Sequence, residues 1–167
     1  MPLTPFHLGP CFLIGLFLPR HVNMAALLLA SVAVDVEPIY CLLNDCQLHG
    51  ILHSYFGAAA FSLAVVSVLI YIGKNRLRKL SAQLGHAQDY SLKSIIAGTL
   101  VGAWSHVLFD SFMHFDVTPF WPFPENPFLR IIDNGTVYLI TIIGFAAGTG
   151  LYFFRLNRLR KDERRSA

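Results

Sequence analysis

The feature that most constrains this chain is a run of twenty-three residues, Ile51 to Gly73, that contains no Asp, Glu, Lys or Arg and is closed by Lys74-Asn-Arg-Leu-Arg-Lys79. A run of that length is long enough to cross a bilayer as a helix, where a buried helix of a soluble domain is shorter. Ile95 to Phe115 is a second apolar run, with Asp110 its one charged residue, and a third run from about Asn134 to Phe154 ends on Arg155. Composition agrees: 14% of the residues are charged, against about 25% in soluble globular domains. The mean hydropathy is +0.53. The chain reads as a polytopic membrane protein.

Its net charge of +3 does not describe a basic surface. Twelve of the thirteen Lys and Arg lie at Arg20, between Lys74 and Lys93, and between Arg155 and Arg165, where they flank apolar runs. Such clusters orient helices in a membrane, so the expected partners are membrane lipids and a lipid-linked substrate. No nucleic acid is expected, and no protein partner is evident. The three cysteines make no metal motif. Cys11 sits in an apolar helix, and Cys41 and Cys46 are either a local disulfide or two free thiols. The start, Met-Pro-Leu-Thr-Pro-Phe-His, lacks the basic region of a cleavable signal, so the first helix is expected to stay.

In chain order, Thr4 and Pro5 read as an N-cap and first helical residue leading into an apolar run to Pro19. Asn23 reads as the cap of a second run, Met24 to Val34. Both runs are short for membrane spans. The second meets Asp35-Val-Glu37-Pro38, whose proline disfavours helix continuation, and Tyr40 to Leu48 read as a polar connection. Residues 80 to 94 read as a loop or surface helix. Asn134-Gly-Thr136 reads as a helix start, and residues 155–167 as a frayed basic tail following a single membrane domain, 1–154. The fold class is therefore all-α, a bundle of about five helices. With the basic clusters inside, its N-terminus is outside and its C-terminus cytoplasmic.

Polar residues inside these runs carry the functional reading. At helical spacing His106, Asp110 and His114 fall four apart on one face, a ligand chemistry that hydrolytic zinc sites use. His49 and His53 repeat the spacing. A carboxylate facing lipid at the depth of Asp35 would cost about 2.5–3.5 kcal/mol, so a buried partner is expected. His7 is thirteen residues from Arg20, Asp35 fourteen from His21 and His106 thirteen from Lys93. At 1.5 Å per residue each lies roughly 20 Å from the inner boundary, in one outer layer. His53 projects to roughly 30 Å and is the exception. His21 and His86 fall on the cytoplasmic side as surface residues. Trp121, with Phe120, Phe123 and Phe128, reads as an interfacial aromatic belt or as a lid over the site.

The order of His7, Asp35-Val-Glu37-Pro, His49-Gly-Ile-Leu-His53-Ser, Ser105-His106-Val-Leu-Phe-Asp110 and Pro119-Phe-Trp121-Pro-Phe resembles the family of small inner-membrane metal-dependent hydrolases, the LexA-regulated inner-membrane hydrolase type. More distantly it is similar to zinc-dependent phospholipase C. The likeness spans residues 3 to about 125. It departs at Glu37, where the family has Asp, and at Leu52, where it tends to have Thr. The resemblance implies one metal on Asp35, His106, Asp110 and either His49 or His53, and a second on His7 with Asp110 bridging. Zinc is the expected ion, with manganese and iron as alternatives. Asp35 or Glu37 is the candidate general base, and His114 and Trp121 stand at the rim. The expected activity is hydrolysis of a phosphoester or other ester at the surface of the inner membrane. The rivals are a metal- or haem-binding protein without catalysis and a structural scaffold.

Overall fold

A computed structural model of the chain describes the backbone of residues 4–166 and the side chains of residues 6–161. The capping role expected of Thr4 and Pro5 lies outside the described side chains. Every regular element is helical: α1 (Leu8–Phe17, after a 3-10 turn Thr4–His7), α2 (Met24–Ala33), α3 (Val36–Asn44), α4 (Tyr55–Ser62), α5 (Val68–Gln83), α6 (Leu92–Met113) and α7 (Asn134–Ser166). A π turn, Leu63–Ser67, joins α4 to α5. The elements therefore make five rods, four of them long and apolar enough to cross a membrane. Their outward faces carry Leu69, Ile72, Leu139, Ile143, Phe145 and Phe153, as lipid-facing helices require.

The helix ends follow from their sequences. Asn23 caps α2, its side chain accepting from the Ala26 N–H at 3.0 Å, and its amide also donates to the Asp89 carbonyl at 2.8 Å. Ser54 and Ser91 cap α4 and α6 in the same way. The start of α7 is capped one residue ahead of the expected Asn134. Asp133 accepts from the Thr136 hydroxyl at 2.5 Å and its N–H at 3.1 Å, and these bonds hold the Asp133 carboxyl below the usual carboxylate range. Gly85, at φ +67°, closes α5: its N–H bonds to the Ala82 carbonyl, and the next N–H, of His86, bonds back to Ser81. That pairing needs a left-handed residue, which glycine adopts without a steric penalty.

Two expectations are corrected. Pro38 does not end the second rod, because it falls in the first turn of α3, where the N–H it lacks has no helical acceptor. Helix therefore resumes to Asn44 after a short break at Val34 and Asp35, and most of the expected polar connection is helical. The Cys41–Cys46 disulfide stands at the end of this rod. The basic tail is not frayed within the described residues, since α7 continues to Ser166. Tyr152 donates to the Leu84 carbonyl, Arg155 donates to the Leu16 carbonyl at 2.6 Å, and Leu156 and Leu159 rest on Gly85. Residues 80 to 94, which read as a loop or surface helix, are helical to Gln83 and again from Leu92, with a loop between.

The core is built from small residues. Ala26, Ala30 and Val34 of the second rod pack with Ala58, Val66, Ile95, Ala103 and Val107, and α2 shares its largest interface with α6. Gly98 and Gly102 of α6 lie directly against the backbone carbonyls of Asn23 and Leu27. Helices in lipid gain their association from such close backbone approach. The same approach sets the level of Asp35 against His106. Gly102→Ala would drive a Cβ into the Leu27 carbonyl, so we expect a loss of about 1–3 kcal/mol. Thermal unfolding in mild detergent measures it, and an unchanged midpoint would contradict this account of the α2–α6 interface.

Candidate metal centre

His106 and Asp110 lie one turn apart on α6 and are both buried. Asp35 stands opposite, at the break between α2 and α3. His53 enters from the 3-10 turn Ile51–His53, which precedes α4. Asp35, His53, His106 and Asp110 each offer one ligand atom, and these atoms lie within 4.8 Å of one another. His106 Nε2 is 3.1 Å from Asp110 Oδ2, 3.4 Å from Asp35 Oδ1 and 3.4 Å from His53 Nε2. His53 Nε2 is 3.5 Å from Asp110 Oδ2 and 4.0 Å from Asp35 Oδ1.

The protons of this group are fixed from outside it. His106 Nδ1 lies 2.7 Å from the Ser31 carbonyl oxygen, which can only accept, so Nδ1 carries the hydrogen. His53 Nδ1 lies 2.9 Å from Glu37 Oε2, and the same reasoning places its hydrogen there. Each imidazole in its neutral form then presents a bare Nε2 to the centre, together with two carboxylate oxygens. With both rings neutral, four electron-pair donors converge with no hydrogen between them, and Asp35 Oδ2 and Asp110 Oδ1 are further buried oxygens without a hydrogen-bond partner. A cation satisfies such a group, because a buried polar atom left without a partner costs about 1–3 kcal/mol.

Glu37 stands behind this group. Its Oε2 accepts from the Gly50 N–H at 3.0 Å and faces His53 Nδ1, while Oε1 accepts from the Leu52 N–H at 3.2 Å. It clamps the turn that carries His53 and sets that ring's tautomer. A side chain at position 50 would collide with Glu37 Oε1. Leu52, where the resembled family tends to have Thr, contributes its backbone N–H to this clamp.

His7 extends the group toward α1. Its Nε2 is 3.3 Å from Asp110 Oδ1, its ring stacks on His106 with centroids 4.1 Å apart, and its Nδ1 is buried without a partner. Asp110 thus turns one oxygen toward His53 and His106 and the other toward His7.

Of the two histidines left open, His53 joins the central four and His49 does not. His49 Nδ1 instead bonds Asp116 Oδ2 at 2.8 Å, and its ring stacks on His114 at 4.5 Å. His114 leaves the face it was expected to share with His106 and Asp110, because α6 ends at Met113 and His114 is extended. Asp116 follows that turn and was not anticipated, since nothing in its spacing sets it apart. Trp121 is exposed, and among the described residues it makes no ring contact with the histidines. Phe120 packs on Tyr55 and Phe128 instead. His21 is exposed as expected, whereas His86 is half-buried in the loop after α5. Ser54 and Ser105 bond to the carbonyls of Ile51 and Gly102, and neither faces a histidine as a nucleophile.

Among known proteins, no curated sequence and no solved structure matches the chain. A family model described as YdjM inner membrane protein matches residues 7–165, which takes in His7 and every other residue of the centre. With four helices able to span a membrane and a match over nearly its whole length, the chain belongs to the YdjM family of inner membrane proteins.

Proposed function

We propose that this protein is a membrane-bound metal-dependent hydrolase acting on a phosphoester or other ester at the membrane surface. The observation that carries the reading is the convergence of Asp35 Oδ1, His53 Nε2, His106 Nε2 and Asp110 Oδ2, each with its proton held elsewhere or absent. A zinc ion with bonds of about 2.0–2.2 Å separates its tetrahedral ligands by about 3.3–3.6 Å. Five of the six separations among these atoms run from 3.1 to 4.0 Å, and the sixth, between the two carboxylates, is within 4.8 Å. Zinc is accordingly the favoured ion. Haem is disfavoured, since the two carboxylates flank the Nε2 atoms where a porphyrin plane would pass.

In this reading Asp35, His53, His106 and Asp110 hold one divalent ion, and His7 with the second oxygen of Asp110 holds another. When bound, such ions lower the pKa of a water and neutralise charge on the group it attacks. Asp35 Oδ2, buried and unpaired, is placed to take the proton of the attacking water. Glu37 acts on His53 as a positioning residue, its two oxygens being engaged by Gly50, Leu52 and His53. An apolar groove of about 290 Å³, lined by Phe6, Thr141, Ile142, Phe145 and Ala146, runs beside the turn that carries His7. It suits an acyl chain, which favours a lipid-linked substrate.

The site is assigned to the outer leaflet. Arg20, Lys74 to Lys93 and Arg155 to Lys161 gather at the end of the bundle where Asp89 bonds Pro19 and Arg155 bonds Leu16. The metal-ligand groups lie toward the other end, where Tyr55 bonds Pro119. The positive-inside rule puts the basic end in the cytoplasm.

Elemental analysis of protein purified in mild detergent is expected to find zinc, manganese or iron at one or more equivalents in the wild type. Asp110→Ala is expected to lose it while eluting as a folded species. Asp110→Asn, equally folded, is expected to reduce hydrolysis of a phosphodiester reporter to the uncatalysed level. A wild type that takes up no metal after loading would leave a structural scaffold instead. Glu37→Gln is expected to keep the stoichiometry at saturation and to lower affinity about 10–100-fold in chelator competition. Unchanged affinity would remove its positioning role.

A further inference from the structure

The imidazoles form an unbroken file. His7 stacks on His106 at 4.1 Å, His106 meets His53 edge-on at 5.3 Å, His53 meets His49 edge-on at 4.7 Å, and His49 stacks on His114 at 4.5 Å. The central four residues and His7 account for one end. The other end, His49 with His114 and Asp116, has no part in the chemistry above, yet it offers three ligand atoms within 4.8 Å of one another.

We propose that His49, His114 and Asp116 form a separate, weaker and exchangeable site for a divalent transition-metal ion, at the mouth of the buried centre. Two imidazoles and one carboxylate suit zinc, iron, nickel or copper and not calcium or magnesium. His114 Nε2 is withdrawn from solvent and has no hydrogen-bond partner, so it is a donor with nothing to bind. The chain holds it there by its backbone. His114 N–H bonds to the Asp110 carbonyl at 2.9 Å, and the Asn126 side chain bridges the carbonyls of Ser111 and His114. Gln47 spans the carbonyls of His49 and Asp116, tying the two facing segments together.

Exposure sets the order of affinity. His53 and His106 are wholly buried and Asp110 nearly so, whereas the Asp116 side chain is 24% exposed and Phe115 beside it faces outward. Three ligands, one of them partly exposed, bind more weakly and exchange faster than four that are more deeply buried. The shared wall is His53, whose ring touches His49 while its Nε2 faces the centre. An ion reaching the buried four from the side of Asp116 meets this group first.

The test is titration of the metal-depleted full chain in detergent with cobalt(II), following visible absorbance and calorimetry, with gel filtration and thermal unfolding as checks of fold. Wild type is expected to show a tight class and a weaker class of one further equivalent. His114→Gln and Asp116→Asn are each expected to lose the weaker equivalent and keep the tight class. Asp110→Asn is expected to lose the tight class, with any ion on His7, and to keep the weaker one. That pattern establishes the outer site whatever becomes of the hydrolase reading. A wild type with no weaker class, or a weaker class unchanged in both His114→Gln and Asp116→Asn, overturns it.

Discussion

Everything near the centre depends on the burial of Asp110. A carboxylate with both oxygens withdrawn from water inside a membrane bundle is costly unless each is answered by a donor or a cation. One oxygen faces the Nε2 atoms of His53 and His106 and the other faces His7, and in the proposed reading a cation among them answers both. Those three rings come from the turn before α4, from α6 and from the turn before α1. The carboxylate therefore fixes three rods at one level. The glycines of α6 make that level reachable, because Gly98 and Gly102 let α2 come close enough for Asp35 to face His106.

The outer rank of contacts matters as much as the inner one. The Ser31 carbonyl and the Glu37 carboxylate each accept a hydrogen bond from the far nitrogen of a ring, and that choice makes the near nitrogen a ligand. Backbone and side chain do the same work on two different helices. Ser31 lies one turn before Asp35 and Glu37 two residues after it, so one short stretch supplies a ligand and both orienting groups.

Much of this was legible in the sequence. Apolar runs bounded by basic clusters carried the helical membrane architecture, and the i, i+4 spacing of His106 and Asp110 survives intact because α6 is regular across it. Asp35 was legible because a carboxylate at that depth demands a partner. The choice between His49 and His53 was not, since it rests on a 3-10 turn whose register is set by Glu37, thirteen residues earlier than Gly50. His114 was misplaced because no glycine or proline marks the end of α6, and the chain simply turns out at that residue. Asp116 becomes meaningful only once that turn is known. The π turn at Leu63–Ser67 has no local signature either.

The length of α7 has a consequence for how the protein meets its membrane. Thirty-three helical residues span about 50 Å, against a hydrocarbon core of about 30 Å. Arg155 and Tyr152 bond it to α1 and to the end of α5, and Leu159 still rests on Gly85, so the excess length falls in the basic turns around and after that contact. With the basic end cytoplasmic, as proposed above, Arg158, Arg160 and Lys161 would lie at headgroup level. Each is worth about 1 kcal/mol of attraction to an anionic leaflet. In that orientation the helix would act as a keel, setting the tilt of the bundle and with it the height at which the opposite end meets the lipid surface.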